Sequence, residues 1–338
     1  MEQHELLMQR CLQLAACGLG TTYPNPLVGS VLVAENKIVG EGWHRKAGEP
    51  HAEILAMRSV SDVPLSACTL YVNLEPCNHY GKTPPCAQAI ISVGIRKVVI
   101  GAKDSHALVD GSGIHALRAA GIEVITGVLD AECRNLNRRF YTFHEKKRPY
   151  IILKWAESAD GYISPRDRSE QQPVFLSGET SRQLVHKWRI EEPAILVGTQ
   201  TVFDDNPFLN ARSFVGNQPL RCVIDRHKRI NPSANVYSAD SPTITFVDAN
   251  PREGDVVIPF ENLPLEIAAA LYDKSLQSVI IEGGRATLQS FIDAGLWDEA
   301  RIFKCPVTCG DGTRAPFISG ELTTVRSVGR DQLLTLRN

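Results

Sequence analysis

This 338-residue chain has no large excess of either charge: Lys+Arg 36 stand against Asp+Glu 38, a formal net charge of -2. Aromatic residues are also scarce, at 7%. With no positive excess and no aromatic–basic stripe, a strongly basic nucleic-acid binder is excluded. Any anionic ligand must be met by local Lys and Arg groups. Long apolar runs are absent too. The uncharged stretch Cys11–Ala34 comes nearest, but Gly18, Gly20, Pro24, Asn25 and Pro26 break it, so no membrane span is expected. Met1–Arg10 is polar and acidic, unlike a signal peptide. The nine cysteines are odd in number and form no tight framework, which points to reduced thiols and a cytoplasmic setting. No G-x-G-x-x-G follows any expected strand, so the usual dinucleotide fingerprint is lacking.

What is present is an ordinary globular balance, 43% hydrophobic and 22% charged, in a length that suits two domains. Apolar spacing predicts a helix over Glu5–Cys17, then a hairpin of Val28–Ala34 and Lys37–Trp43 turning at Glu35-Asn36. Helices over Ala52–Val60, Pro85–Val93 and Ile114–Ala120 alternate with strands Thr69–Asn73, Lys97–Gly101 and Glu123–Thr126. The basic stretch Lys146-Lys147-Arg148-Pro149 sets the expected boundary, dividing the chain into domains 1–146 and 147–338. Beyond it the β-α pattern restarts with strand Tyr150–Trp155, helix Thr180–Arg189 and strand Ala194–Val197. It continues through strands Arg221–Asp225, Thr243–Val247, Ser278–Glu282 and Glu299–Phe303, with helices Leu265–Tyr272 and Arg285–Ala294. Both halves read as α/β.

The chemistry concentrates in Pro50-His51-Ala52-Glu53, Leu74-Glu75-Pro76-Cys77 and Pro84-Pro85-Cys86. His51, Cys77 and Cys86 offer zinc one nitrogen and two thiolates, leaving a fourth position for water, whose pKa the metal lowers. Cys86 opens a helix, where the dipole favours a thiolate. Glu53 is the expected proton shuttle. A spacing of two residues puts His51 and Glu53 on nearly opposite faces of a continuous helix, so His51 must sit at the helix start with non-helical geometry. Taken singly, each of these residues reads more readily as a helix cap, for His51, or as a small buried hydrophobe, for the cysteines. Together, H-x-E followed by P-C…C is the zinc-deaminase signature. Two rival readings stand beside it. One is a nucleobase or cytidine-type deaminase with a non-catalytic or divergent second domain. The other is a binding module whose zinc is structural, closed by His79 as fourth ligand.

Eight residues, Asn78-His79-Tyr80-Gly81-Lys82-Thr83-Pro84-Pro85, separate the two cysteines. With Pro24-Asn25-Pro26-Leu27-Val28-Gly29 and Gly42-Trp43-His44, this insert resembles the bifunctional riboflavin-biosynthesis family. In that family a diaminohydroxyphosphoribosylaminopyrimidine deaminase is fused to a 5-amino-6-(5-phosphoribosylamino)uracil reductase. The resemblance implies a cytidine-deaminase-like α/β/α domain followed by a dihydrofolate-reductase-like α/β domain. It implies Zn2+ and NADPH as cofactors, a small phosphoribosyl pyrimidine as substrate, and room for a homo-oligomer. It assigns Asn25, His44, His79 and Lys82 to the deaminase substrate. The family's Asp-Pro-Asn segment stands here as Asp104-Ser105-His106, so only the aspartate matches.

The resemblance continues through Ile152–Gly161, Ala194–Pro207 and Ile281-Glu282-Gly283-Gly284. By position it assigns Pro173, Arg189, Asp205, Leu209, Arg212 and Glu282 to the ribosyl substrate, with Lys154 and Asp205 as catalytic groups. Ala156, Phe175, Thr201, Arg226 and Gly284 go to the nicotinamide cofactor. Arg189 and Arg212 suit phosphate, because a guanidinium fork matches phosphate oxygens. Arg226 after a strand suits a 2′-phosphate. Glu157, Ala159 and Pro173 depart from the family pattern. The pair Cys305 and Cys309, with no further ligand nearby, is expected to be incidental.

Overall fold

The structure, a computed structural model, describes residues 2–80, 85–105, 111–168 and 170–338. These fall into two compact units, Met1–Lys146 and Lys147–Asn338. No helix among the described residues is long and apolar enough to cross a membrane.

In the first unit, helix α1 (Glu2–Ala16) precedes strands β1 (Gly29–Ala34) and β2 (Lys37–Trp43). The two strands pair antiparallel through a turn in which Glu35 and Asn36 both have positive φ, the geometry a two-residue hairpin requires. Helix α2 (Ala52–Arg58), strand β3 (Thr69–Leu74), helix α3 (Cys86–Ser92) and strand β4 (Lys97–Ala102) follow. Helix α4 (Ser112–Ala119), strand β5 (Glu123–Thr126) and helices α5 (Asp130–Leu136) and α6 (Arg138–Lys146) complete the unit. The sheet order is β2-β1-β3-β4-β5, with β3, β4 and β5 parallel.

Every residue of β1 is buried, because both faces of the sheet are covered. Val31 and Val33 pack with Met8, Cys11 and Leu14 of α1, whereas Leu32 and Ala34 pack with Ala56, Met57 and Ile90 of α2 and α3. The period-2 alternation thus feeds two hydrophobic clusters and makes three layers. Gly42 lets α2 lie directly on β2: a Cβ there would stand 2.5 Å from the Ala56 nitrogen. That contact sets the height at which the start of α2 presents its side chains.

The second unit opens with β6 (Tyr150–Ser158) and the short β7 (Tyr162–Pro165), then α7 (Glu179–Glu191), β8 (Ala194–Gly198) and α8 (Thr199–Asp205). Strands β9 (Leu220–Ile224), β10 (Thr243–Val247) and β11 (Asp255–Val257) lead to α9 (Leu263–Asp273), β12 (Ser278–Ile281) and α10 (Arg285–Asp293). Strands β13 (Glu299–Cys305), β14 (Gly312–Arg314), β15 (Glu321–Val328) and β16 (Asp331–Arg337) close the chain. Nine strands run in the order β11-β10-β9-β8-β12-β6-β13-β16-β15, parallel as far as β13 and antiparallel thereafter. Strands β7 and β14 form a separate two-stranded ribbon.

Hydrophobic periodicity assigns nothing to 127–146, 162–165 or 312–337, where α5, α6 and four strands are found. Strand β15 is exposed over seven of its eight residues, so it carries no alternation of buried and exposed positions to read. Cys305 is buried in a core cluster and, like Cys309, is a free thiol.

Candidate active sites

His51 is the N-cap of α2, with φ -70 and ψ 162. This extended geometry turns its imidazole to the same side as Glu53, the condition the short spacing imposed. Cys77 lies just past β3, and Cys86 is the first residue of α3, after Pro85. His51 Nδ1 stands 3.2 Å from Cys86 Sγ and 3.5 Å from Cys77 Sγ. All three donor atoms lie within 4.8 Å of one another. Tetrahedral zinc with ordinary Zn–N and Zn–S bonds separates a nitrogen from a sulfur by about 3.5 Å, so the set fits that ion. No fourth His, Cys, Asp or Glu among the described residues joins the group. His79 is half-buried in the loop after Cys77 and outside the group, while Lys82 lies outside the described residues.

The Cys86 thiol, the His51 ring and the Cys86 backbone N–H together hold the Cys77 thiol well below its ordinary value, against the opposing effect of burial. Glu53 is 3% exposed, and its Oε2 accepts no hydrogen bond. Burial raises its pKa, the direction a proton shuttle needs.

Asn25 and His44 meet beside this group. The Asn25 amide nitrogen is 3.0 Å from His44 Nε2, and His44 Nδ1 is 3.3 Å from the Pro50 carbonyl. A carbonyl only accepts, so Nδ1 carries the proton, Nε2 accepts from the Asn25 amide, and the Asn25 Oδ1 is left for a ligand. Burial lowers the His44 pKa, which favours this neutral form. The ring lies 5.3 Å from that of His51, edge to face.

Sequence reasoning missed the residues that hold these loops. Asn73 and Asn137, both buried, each bond the Leu27 carbonyl through their amide nitrogens, and their oxygens accept from Gly29 and Leu27 N–H respectively. They brace the segment carrying Asn25. Glu75, quoted above only as part of a motif, accepts four backbone N–H groups: Asp104 at 3.2 Å, Gly111 at 3.1 Å, Gly113 at 3.0 Å and Ile114 at 3.1 Å. It ties the start of α4 to the Cys77 loop. Gly113 permits the approach, since a Cβ there would fall 2.0 Å from the Pro76 carbonyl.

In the second unit a cavity of about 1660 Å³ opens at the C-terminal ends of β6, β8, β9 and β12. That is where a parallel sheet receives ligands. Its lining includes Lys154, Ala156, Pro173, Phe175, Arg189, Thr201, Asp205, Leu209, Arg212, Glu282 and Gly284. Arg226 is not among the lining residues: it pairs with Asp248 at 2.9 Å and stacks over Phe260.

Glu282 takes a fork from Arg189, at 2.8 Å and 3.3 Å, and lies 3.7 Å from Lys154 Nζ. Burial pushes its pKa up, but the charges of Arg189 and Lys154 win and hold it at about 2. Burial also lowers the Lys154 pKa against the pull of Glu282. The two arginines expected at phosphate therefore differ. The fork of Arg189 is committed to Glu282, and its Nη1 donates to the Asn210 carbonyl at 3.0 Å. Arg212 is exposed and donates to Asn210 Oδ1 at 3.5 Å. Similarly, the Gly284 N–H at the head of α10 is given to Thr201 Oγ1 at 3.0 Å, leaving the next N–H groups for a ligand.

Two residues of this cavity escaped sequence reasoning. Arg168 ion-pairs with Asp205 and donates to the Gln172 carbonyl at 2.8 Å. Its loop is polar and carries no signal. Burial still raises the Asp205 pKa against that pairing. His186, one turn before Arg189, is lowered to about 4 by burial and by the charges of Arg189 and Arg212.

Two family models match the chain: the cytidine and deoxycytidylate deaminase zinc-binding region over residues 1–102, and the RibD C-terminal domain over residues 149–336. The riboflavin biosynthesis protein RibD of Aquifex aeolicus is 40% identical over 316 residues, covering 90% of this chain and 87% of its own. The chain belongs to the RibD family. The Escherichia coli member is 34% identical, over 92% of this chain and 90% of that protein. Two solved structures cover 99% of both chains with TM-scores of 0.90: RibD from Acinetobacter baumannii, at 32% identity, and a deaminase/reductase from Thermotoga maritima, at 33%. Membership carries the fold expectation through, a cytidine-deaminase-like domain followed by a dihydrofolate-reductase-like one. The protein is a bifunctional enzyme of riboflavin biosynthesis, a zinc-dependent deaminase and an NADPH-dependent reductase.

Proposed function

We propose that the two halves of the reaction are carried by the residues just described, with the boundary between them at 146/147. In the first unit, His51, Cys77 and Cys86 would hold zinc, which when bound makes a water nucleophilic near neutral pH. Glu53 passes one proton of the attacking water to the pyrimidine nitrogen and then moves the proton of the newly added hydroxyl to the leaving amine, so that the C–N bond breaks, the carbonyl forms and ammonia departs. Asn25, through its Oδ1, orients the pyrimidine, with His44 fixing that amide and His79 closing the pocket.

In the second unit NADPH, when bound, would supply the hydride that ends on C1′ of the ribosyl group. Lys154, held beside Glu282, gives the proton taken up by the ring oxygen as the C1′–O bond opens. Asp205, Leu209, Pro173 and Arg189 shape the pocket, and Arg212 meets the phosphate. Ala156, Phe175, Thr201 and the N–H groups after Gly284 face the cofactor. Arg226, which is set apart from the cavity, has a place here only if it leaves Asp248.

The observation that carries this reading is the open three-donor group with a buried, unbonded carboxylate oxygen beside it. The test is Glu53→Gln in the full chain, following ammonia release and NADPH oxidation separately. Ammonia release should fall by about 100-fold or more while zinc content and reduction of the deaminated substrate are kept. Retained deamination would overturn the role of Glu53.

Self-association belongs to the same reading. Strand β15 ends the nine-stranded sheet with Leu322 and Val325 exposed, offering its edge to a second copy. A solution mass above 37.2 kDa by light scattering checks this. The nine free thiols suit a reducing cytoplasm, which cell fractionation checks.

A further inference from the structure

The segment 206–212 forms one wall of the reductase cavity through Asn206, Phe208, Leu209 and Arg212. Its backbone is unusual. Asn206 has φ 40 and Leu209 has φ 56, a left-handed conformation that leucine adopts at a cost. Such a wall keeps its shape only if contacts from behind over-determine it.

Those contacts converge on Arg221 of β9. It is fully buried, although an arginine is almost never so without partners, and it does not line the cavity. Its Nη1 reaches the Phe208 carbonyl at 3.2 Å, the Asn235 carbonyl at 3.3 Å, Ser238 Oγ at 2.9 Å and Asp240 Oδ1 at 3.1 Å. Its Nη2 donates to the carbonyls of Ser238 and Ser241. The partners then grip the wall themselves. Asn235 donates its backbone and side-chain N–H groups to Asn206, both at 2.8 Å, and Asp240 accepts from the Asn210 amide at 2.7 Å. The Leu209 side chain closes the arrangement in a cluster with Val202, Val223 and Val236. One planar cation thus locks two loops to each other, a task its rigid fork performs and a lysine point charge does not.

We propose that Arg221 is a positioning residue of the reductase: it sets the wall 206–212, and hence Arg212 and Leu209, against the phosphoribosyl substrate. The inference rests on the assignment of that wall to the substrate. The groups assigned to the cofactor lie on other segments, so the effect is selective. KM for the ribosyl substrate depends on Arg221, and NADPH affinity does not.

The experiment uses the full chain with Arg221→Lys and, separately, Asp240→Ala, a site whose side chain is 40% exposed and carries less risk to folding. Steady-state NADPH oxidation against the deaminated phosphoribosylamino pyrimidine yields KM and kcat. NADPH affinity is read by fluorescence, and ammonia release by the first unit serves as the internal reference. Arg221→Lys should raise KM by about tenfold or more and Asp240→Ala by several-fold, with NADPH affinity held within about twofold. A folded variant of either kind whose KM moves less than about twofold, or an equal loss of NADPH affinity, overturns the proposal. Unfolding of both variants would also overturn it, making Arg221 a residue of general stability. If the unaltered chain fails to oxidise NADPH with this substrate, the assignment of the wall itself fails instead.

Discussion

Replacing Glu282 by glutamine tests the charge arrangement of the reductase cavity most directly. The carboxylate is held at about 2, against an ordinary value of 4.5, although burial alone would raise it. A depression of roughly 2.5 units corresponds to about 3 kcal/mol of folding stability at neutral pH. Breaking a buried ion pair by removing one partner costs about 3–5 kcal/mol, which agrees. In a unit of this size the melting transition should fall by roughly 6–12 °C. Trp155, Trp188 and Trp297 lie in the second unit and only Trp43 in the first, so tryptophan fluorescence reports mainly the relevant transition. The sign with pH follows from the depressed value. The contribution of Glu282 is complete above its unfolded pKa near 4.5 and is lost as pH falls toward about 2. The gap in melting temperature between the unaltered chain and Glu282→Gln should therefore be full at pH 7, shrink below about pH 4.5 and close near pH 2. A gap that is absent at pH 7, or that stays constant to acid pH, would refute the reasoning that Arg189 and Lys154 depend on this charge.

Glu75→Ala strips the acceptor from four buried or half-buried N–H groups and should destabilise the first unit by about 2–4 kcal/mol. Zinc content and ammonia release would drop together while NADPH oxidation persists. Arg212→Ala should raise KM for the phosphorylated reductase substrate by about tenfold or more and leave a dephosphorylated analogue nearly unchanged; equal effects on both would remove Arg212 from the phosphate. Chelation of zinc should abolish ammonia release and spare reduction of the deaminated substrate, and loss of both activities would contradict the independence of the two chemistries.

Local pattern and local chemistry were legible without coordinates. The hairpin of Val28–Ala34 and Lys37–Trp43 turning at Glu35-Asn36 and the H-A-E, P-C, P-P-C series depend on residue type and spacing within short segments. Those rules survive in any tertiary setting. What stayed illegible has no local signature. Strand β15 is exposed on both faces and carries no periodicity. Glu75 acts on N–H groups 29 to 39 residues away, and Arg168 reaches Asp205 across 37.

The tertiary structure also decided between uses of one residue type. Arg189, Arg212 and Arg221 carry the same guanidinium, yet one is paired to Glu282, one is exposed toward the cavity and one is buried among carbonyls. Nothing in the flanking residues distinguishes them. A charge is assigned by whatever the fold brings within a few ångströms of it, whereas a strand or a metal-binding spacing is written in neighbours along the chain.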